Sequence, residues 1–429
     1  MLVHLKTLGC RLNEAELETW AQAFQHSGHQ ITRVAEAANL VVINSCAVTQ
    51  DAARKSRNLI RRIHRDNPQA KLVVSGCYAT LNPDEAAALL GVDLVVGNQD
   101  KSQLVEKVLA ELDMETMPAM STEPGEVSLF TRGRQRAFVK VQDGCRYRCT
   151  FCIVTVARGE ESSRPVQAVV DEINALHSQG ITEAILTGVH LGGYGSDLDT
   201  NLVALVQAIL DQTAIPRLRL GSLEPWEFTE GFFALFQNPR VMPHLHLPLQ
   251  SGSDSVLRRM ARRCKTEEFA AIVCQLRTQI PHFNITTDII VGFPGETEQE
   301  WQDSVDFIRQ IGFGHIHIFT YSKREGTKAA SLPNQITSEI KKQRSQQLHG
   351  LAEEMKQTFC LANIGETFPV LWEAYNEPYG DDHQKVFGYT PNYLKVGCVI
   401  KRSESLENQT LPAKLTAMDG QYILADLVP

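Results

Sequence analysis

Six of the ten cysteines in this 429-residue chain fall into two triads, and the triads limit what the chain can fold into. One is compact: Cys145, Cys149 and Cys152 in DGCRYRCTFC, spaced C-x3-C-x2-C. The other is dispersed: Cys10 in KTLGC, Cys46 in VVINSC and Cys77 in LVVSGC. Thiolates are the usual ligands of iron–sulfur clusters, and an ordinary four-iron cluster takes four of them. A triad leaves one iron without a protein ligand, open to a substrate or cofactor. Two such sites in one chain fit two reactive [4Fe-4S] clusters better than an electron wire. For the dispersed set to hold one cluster, the fold must bring three distant residues to one place.

The sequence around those cysteines provides such a fold. LVHLKTLG, NLVVINS and KLVVSG are short runs rich in Val, Ile and Leu, separated by helical stretches. That alternation predicts a parallel sheet with crossover helices. Each cysteine falls just past the carboxyl end of its strand, the edge where open α/β sheets bind ligands. Other readings are weaker. Zinc prefers a closed site with a fourth ligand nearby, and none follows the compact triad. Disulfides belong to oxidising compartments. MLVHLKTLGC lacks the basic, apolar, then small-residue order of a secretion signal, so the expected location is cytoplasmic. No run approaches the roughly 18 apolar residues that span a membrane. Cys264, Cys274, Cys360 and Cys398 share no ligand-like spacing and are expected to be small hydrophobes.

The organisation follows from shifts in composition. A four-strand α/β pattern ends near residue 112 with DLVVGN. MPAMSTEPGEVS is weakly apolar and contains Pro, Gly and Ser, which predicts a linker over 113–130. FVKVQ, EAILTG, RLRLGS, HLHLPLQ, ITTDIIVGF and HIHIFTYS then alternate with helices over 131–360, the pattern of a partial (β/α)6 barrel. Residues 361–429 carry short strands joined by turns, which predicts a small β-barrel.

Charge points both ways. The net charge of −8 gives no global attraction to nucleic acid. Local patches do: Arg54, Lys55, Arg57, Arg61, Arg62 and Arg65 lie on a predicted helix after Cys46, and Arg54, Arg57, Arg61 and Arg65 recur at helical spacing. Further patches are Arg132, Arg134 and Arg136, and Arg258, Arg259, Arg262, Arg263 and Lys265. For any one run a solvated helix face is the plainer reading. The segment from 361 on holds nine Asp and Glu against five Lys and Arg. An RNA role there would rest on stacking by Tyr375, Tyr389 and Tyr393, which equally fit packing at an interface.

Taken together the motifs resemble a known family. C-x3-C-x2-C with Phe151 before its last cysteine resembles the radical S-adenosylmethionine (SAM) signature. With the upstream triad, and with RGEESSRP, LTGVHLGGYG, HLHLPLQSGSDSVLRRM, TTDIIVGFPGET and YSKREGTKAA, the chain is similar along nearly its whole length to the methylthiotransferases. KTLGCRLNEAE, NSCAVT, ARKSRNLIRRIHRDNP and LTGVHLGGYG look most like the tRNA threonylcarbamoyladenosine type. The resemblance implies an N-terminal methylthiotransferase domain over 1–112, a radical SAM domain over 131–360 and a TRAM-like RNA-binding barrel over 361–429.

It also implies roles. Cys145, Cys149 and Cys152 would hold the radical cluster, and Cys10, Cys46 and Cys77 the sulfur-donating one. Barrel sites lie at strand carboxyl ends, so Thr187, Gly188, His190, Glu224 and Gln250, with Phe151, would contact SAM. His190 stands where some relatives carry asparagine. Arg54, Lys55, Arg57 and Arg61 would bind tRNA. An external one-electron reductant and a sulfur source complete the expected partners, with no membrane among them. Sister enzymes act on isopentenyladenosine in tRNA or on a ribosomal-protein aspartate. A reading from another class is a non-catalytic iron–sulfur protein that binds RNA.

Overall fold

The computed structural model describes residues 1–112 and 135–428, which divide into two compact units. The expected linker, 113–130, and Arg132 and Arg134 lie outside the described residues. The first unit is Met1–Arg132 with Asp143–Ser162 and Ser322–Thr327. By chain position the last two stretches fall inside the expected central domain; by contact they belong with the first unit. Ala157 shows why, since it is buried in one hydrophobic cluster with Cys77, Tyr78 and Ala79.

The first unit is a parallel sheet in the order β2-β1-β3-β4-β5, formed by β1 (Leu2–Thr7), β2 (Gln30–Ile31), β3 (Leu40–Ser45), β4 (Lys71–Gly76) and β5 (Leu94–Val96). The two-residue β2 adds an edge strand to the four expected. All six residues of β3 are buried, as a strand covered on both faces requires. Helix α1 (Arg11–His26) buries Leu17, Trp20, Ala21 and Phe24 against one core. Helix α2 (Gln50–Asp66) buries Ala53, Leu59, Ile60 and Ile63 against another and starts at Thr49, whose side chain accepts the Ala52 N–H. Helix α3 (Cys77–Leu81) follows β4 without a break.

The second unit carries six strands in chain order. Arg136–Lys140, Glu183–Thr187 and Arg217–Leu220 form one parallel sheet, and His244–His246, Asn284–Val291 and His315–Thr320 form another. Parallel bridges Leu218–Val241 and Ser222–His246 join the two. This is the expected six-stranded partial barrel. A 24-residue helix, Ser338–Leu361, leads to a closed barrel of five strands spanning Thr367–Tyr379 to Tyr422–Leu427.

The small barrel covers the amino-terminal ends of the first five of the six strands. Arg136, Glu183, Arg217, His244 and Asn284 are each the first residue of a strand. Arg136 donates to Glu373 at 3.0 Å, Arg217 to the Thr390 carbonyl at 3.1 Å, and Arg219 to the Pro391 carbonyl at 3.0 Å. Asn284 donates to the Asn392 carbonyl at 2.8 Å, and Asn392 to the His282 carbonyl at 3.0 Å. Tyr389 and Tyr393 stack at 5.0 Å, with Arg136 over the first ring and Arg219 over the second. Of the two readings of these tyrosines, packing at an interface is the one observed. Tyr375 is exposed and donates to Glu377 at 2.8 Å.

Candidate active site

The dispersed triad gathers at the carboxyl edge of the first sheet because β1, β3 and β4 are neighbours, with Cys46 and Cys77 directly after β3 and β4 and Cys10 shortly after the end of β1 at Thr7. Two glycines let the backbones close up. A Cβ on Gly9 (φ +112°) would stand 2.9 Å from Cys46 Sγ, and one on Gly76 (φ +96°) only 2.2 Å from the Ser45 carbonyl oxygen. Only glycine adopts such a conformation without strain. Ser56 fixes Cys46, accepting its N–H at 3.1 Å and donating to its carbonyl at 2.8 Å. Cys46 and Cys77 are buried and Cys10 is exposed. Burial pushes the Cys46 thiol up to about 11, and the neighbouring Cys77 and Cys10 push it the same way. A thiol held protonated in this way releases its proton when a metal binds.

The compact triad lies in the same unit, on the loop that ends at helix Val154–Arg158. All three cysteines are half-buried. The loop is tied by Cys152 N–H to the Cys149 carbonyl (3.0 Å) and by Cys145 N–H to the Gly159 carbonyl (3.1 Å). Gly144 (φ +71°) permits the crossing, since a Cβ there would meet the Glu160 carbonyl oxygen at 1.8 Å. Phe151 is half-buried in this loop. Both triads thus offer three sulfur donors, with no disulfide among them, and both donor sets fit an open-iron cluster.

Buried and half-buried polar groups that are not among the expected site residues lie beside the dispersed triad. Cys10 Sγ donates to Asn13 Oδ1 at 3.7 Å, and Asn98 Nδ2 donates to Cys77 Sγ at 3.8 Å. Arg158 donates to Asn13 Oδ1 (2.8 Å), Glu16 Oε1 (3.0 Å) and Asp143 Oδ1 (2.9 Å), with its side chain 2% exposed. Glu16 also pairs with Lys101. Burial works against the charge on Arg158, but Glu16, Asp143 and, to a smaller degree, Cys77 and Cys10 keep it protonated. Arg158 was within reach of sequence reading, as the first residue of RGEESSRP. Asn13, Asn98 and Glu16 gave no such signal.

The expected SAM-contact residues lie at or just past the carboxyl ends of the six strands. Thr187 ends its strand, and its carbonyl accepts the Val141 N–H at 2.9 Å. A Cβ on Gly188 would stand 2.8 Å from Gln142 Oε1, the atom that accepts the His190 N–H at 2.9 Å. His190 is buried, with Nε2 3.2 Å from Glu227 Oε1, so it is not a bare loop histidine. The Glu224 carboxylate accepts from Arg262 at 3.1 Å, and that guanidinium lies over the Trp226 ring. Arg262 is thereby removed from the basic run it shares with Arg258 and Arg263. Gln250 sits at φ +76°, bridged to strand Asn284–Val291 through the Asp288 carbonyl and the Ile290 N–H. A left-handed non-glycine residue is uncommon and concentrates at functional sites. On adjacent strands of this unit, His246 Nε2 pairs with Asp288 at 3.1 Å, and the His317 ring lies 5.4 Å from that of His246.

The basic helix is α2. Arg54, Lys55, Arg61, Arg62 and Arg65 are exposed. Arg54 and Lys55 both pair with Asp51, at 2.5 and 2.7 Å. Arg57 is half-buried, 3.3 Å from Glu85 and over the Tyr78 ring. Arg57 therefore differs from the other three residues of its expected face. Cys264, Cys360 and Cys398 are buried and Cys274 is exposed.

Residues 2–97 match a family described as uncharacterized protein family UPF0004, and residues 139–308 match the radical SAM superfamily. The chain is 36% identical to the threonylcarbamoyladenosine tRNA methylthiotransferase MtaB of Bacillus subtilis, over 98% of this chain and 96% of that one. It is 36% identical to the protein of that name from Thermotoga maritima, covering 87% of each. It is 30% identical to the tRNA-2-methylthio-N(6)-dimethylallyladenosine synthase of Lawsonia intracellularis, covering 99% and 98%. Among solved structures, the radical SAM methyltransferase TsrM of Kitasatospora setae, with cobalamin and a [4Fe-4S] cluster bound, superposes with a TM-score of 0.53 at 17% identity, covering 77% of each chain. That likeness is one of fold.

Proposed function

The chain belongs to the methylthiotransferase family of the radical SAM superfamily, and we propose that it acts on N6-threonylcarbamoyladenosine at position 37 of tRNA, beside the anticodon on its 3′ side. The reaction would place a methylthio group on the adenine C2 carbon. The observation that carries this reading is the pair of cysteine triads within one compact unit, in a chain that matches B. subtilis MtaB over nearly its whole length. Adenine C2 has no acidic proton and is a poor nucleophile, so side-chain acid–base chemistry does not suffice and cofactors carry the hard step. Two [4Fe-4S] clusters, with SAM, supply the one-electron chemistry and the sulfur.

The chain's own residues hold and orient those groups. Cys145, Cys149 and Cys152 ligate the radical cluster, and Cys10, Cys46 and Cys77 the sulfur-donating one. Thr187, Gly188, His190, Glu224 and Gln250, with Phe151, take the methionine and ribose ends of SAM. Arg262 fixes the Glu224 carboxylate, and Gln142 fixes the backbone at His190. Arg54, Lys55 and Arg61 contribute to tRNA binding, while Arg57 is engaged with Glu85 and Tyr78, and 361–429 acts as a TRAM-like module beside the radical SAM part, 131–360. Electrons and sulfur come from outside the chain, and the setting is the cytoplasm; among the described residues, no helix is long and apolar enough to cross a membrane.

The dimethylallyladenosine relative keeps isopentenyladenosine as the second substrate reading. Mass spectrometry of tRNA nucleosides from a deletion strain, with and without this gene restored, separates the two. The methylthio form of threonylcarbamoyladenosine should vanish and return. A change confined to the isopentenyl nucleoside would overturn the substrate assignment. No change in either nucleoside, with no SAM cleavage by the reduced protein, would favour a non-catalytic RNA-binding protein.

A further inference from the structure

The helix that follows the compact triad is fastened to the dispersed triad through two asparagines. Asn98 Nδ2 donates to the Ala157 carbonyl at 2.6 Å and to Cys77 Sγ at 3.8 Å. Asn13 Oδ1 accepts from Arg158 at 2.8 Å and from Cys10 Sγ at 3.7 Å. Ala157 and Arg158 are the last two residues of the helix that begins two positions after Cys152. The Asn98 bond persists when Cys77 is a thiolate, because the amide is its donor. The Asn13 bond instead uses the Cys10 proton, which is released on cluster binding.

These contacts sit in a polar layer that is mostly buried. Arg158, Lys101 and Glu16 are almost fully buried, and Arg158 bridges Glu16 and Asp143. The two cations and two carboxylates balance, which allows a fixed guanidinium to remain beside the cysteines at tolerable cost. The Asn98 amide is positioned by the Ala157 carbonyl, so its remaining N–H points at sulfur by construction. Hydrogen bonds to ligand sulfur, and nearby charge, set the reduction potential of an iron–sulfur cluster.

We infer that Asn98 and Arg158 are positioning residues that set the potential of the cluster held by Cys10, Cys46 and Cys77, Asn98 by its bond to Cys77 and Arg158 by its charge, and that Asn98 links that cluster to the chain segment bearing the other triad. The inference rests on the cluster assignment above but not on the choice of nucleoside. Reduction adds one electron from an external donor and leaves the cluster more negative by one charge. An N–H donor and a cation both stabilise that form, so their removal must lower the potential.

The test uses the full chain with Cys145, Cys149 and Cys152 all replaced by Ala, reconstituted so that only the dispersed triad is loaded. The midpoint of that cluster is read by EPR-monitored titration with dithionite, and iron per chain is measured alongside. Asn98→Leu and Arg158→Gln should each shift the midpoint to lower potential with iron retained. Arg158→Lys, which keeps the charge, should shift it less than Arg158→Gln. If Asn98→Leu does not fold, Asn98→Ser removes the same donor without added bulk. Midpoints equal to the parent's, with iron retained, would show that the two residues only brace the fold. Failure of the parent triple variant to bind iron would instead strike at the cluster assignment itself. Neither outcome depends on which tRNA nucleoside is modified.

Discussion

Arg219 holds Glu183 in a charge-assisted pair at 2.8 Å, in the second unit, with the carboxylate completely buried. Arg217 stands on the other oxygen, also at 2.8 Å. The pair sits where the small barrel meets the six strands, since Arg219 and Arg217 also donate to the carbonyls of Pro391 and Thr390.

Replacing Glu183 by Gln should leave two buried guanidinium groups short of an anion and cost about 3–5 kcal/mol, the usual effect of breaking a buried pair. The pH dependence gives a second check. Burial opposes ionisation of Glu183, but Arg219 and Arg217 outweigh it and bring the carboxyl from 4.5 down to about 2. A folded value below the unfolded one gives stability that is present above pH 4.5 and lost as pH falls toward 2. Melting curves across that window should show an acid limb in the parent that Glu183→Gln flattens.

Gly76→Ala should disturb the dispersed triad more than its size suggests. The added methyl would meet the Ser45 carbonyl oxygen at 2.2 Å in a left-handed backbone. At the Gly76 backbone, φ 96° and ψ −172°, strain alone costs on the order of 1–3 kcal/mol for a residue with a Cβ. The expected result is a less stable chain whose iron falls toward the content of one cluster. Iron analysis after anaerobic reconstitution reads it, with an unchanged count against the placement.

The two triads should separate by function. About eight irons per reconstituted chain are expected, as two four-iron clusters. Cys46→Ala should still cleave SAM when reduced but give no methylthiolated tRNA. Cys149→Ala should do neither. Full product from Cys46→Ala would make the dispersed triad structural, and stoichiometric zinc without visible absorbance would remove both clusters.

The α2 surface gives a salt-dependence test. Arg61 and Arg65 are exposed, whereas Arg57 is engaged with Glu85. Arg61→Glu with Arg65→Glu should weaken tRNA binding and flatten the slope of log affinity against log salt by about 1–2, since each neutralised phosphate accounts for roughly 0.7–0.9 of that slope. Arg57→Glu should instead cost stability, by setting two carboxylates against each other. Filter binding over a salt series, with a melting curve for each variant, distinguishes these effects.

Much of the site was legible because buried parallel strands are written as unbroken apolar runs. NLVVINSC and KLVVSGC give strand, edge and cysteine in a single reading. The partial barrel was legible for the same reason. The surroundings of the cysteines were not. Asn98 reaches Ala157 and Arg158 reaches Asn13 across long stretches of chain, and no local pattern encodes such pairings. The alternation in RLRL shows that Arg217 and Arg219 turn away from the leucine face. Only the small barrel explains why they are buried. Tyr389 and Tyr393 were ambiguous because an aromatic residue on a strand suits a base or a protein surface equally.

The small barrel has a further consequence. From its position at the end of the chain it looks like a detachable accessory, yet four strand-opening residues, Arg136, Arg217, His244 and Asn284, are finished by it. A chain cut before residue 361 would leave Arg136, Arg217, Arg219 and Glu183 facing water at the bottom of an open trough. Such a product would be a weaker scaffold at the opposite mouth too, because the same six strands carry Thr187 and Gln250 there. The last segment is thus the floor beneath the rim that carries Thr187 and Gln250.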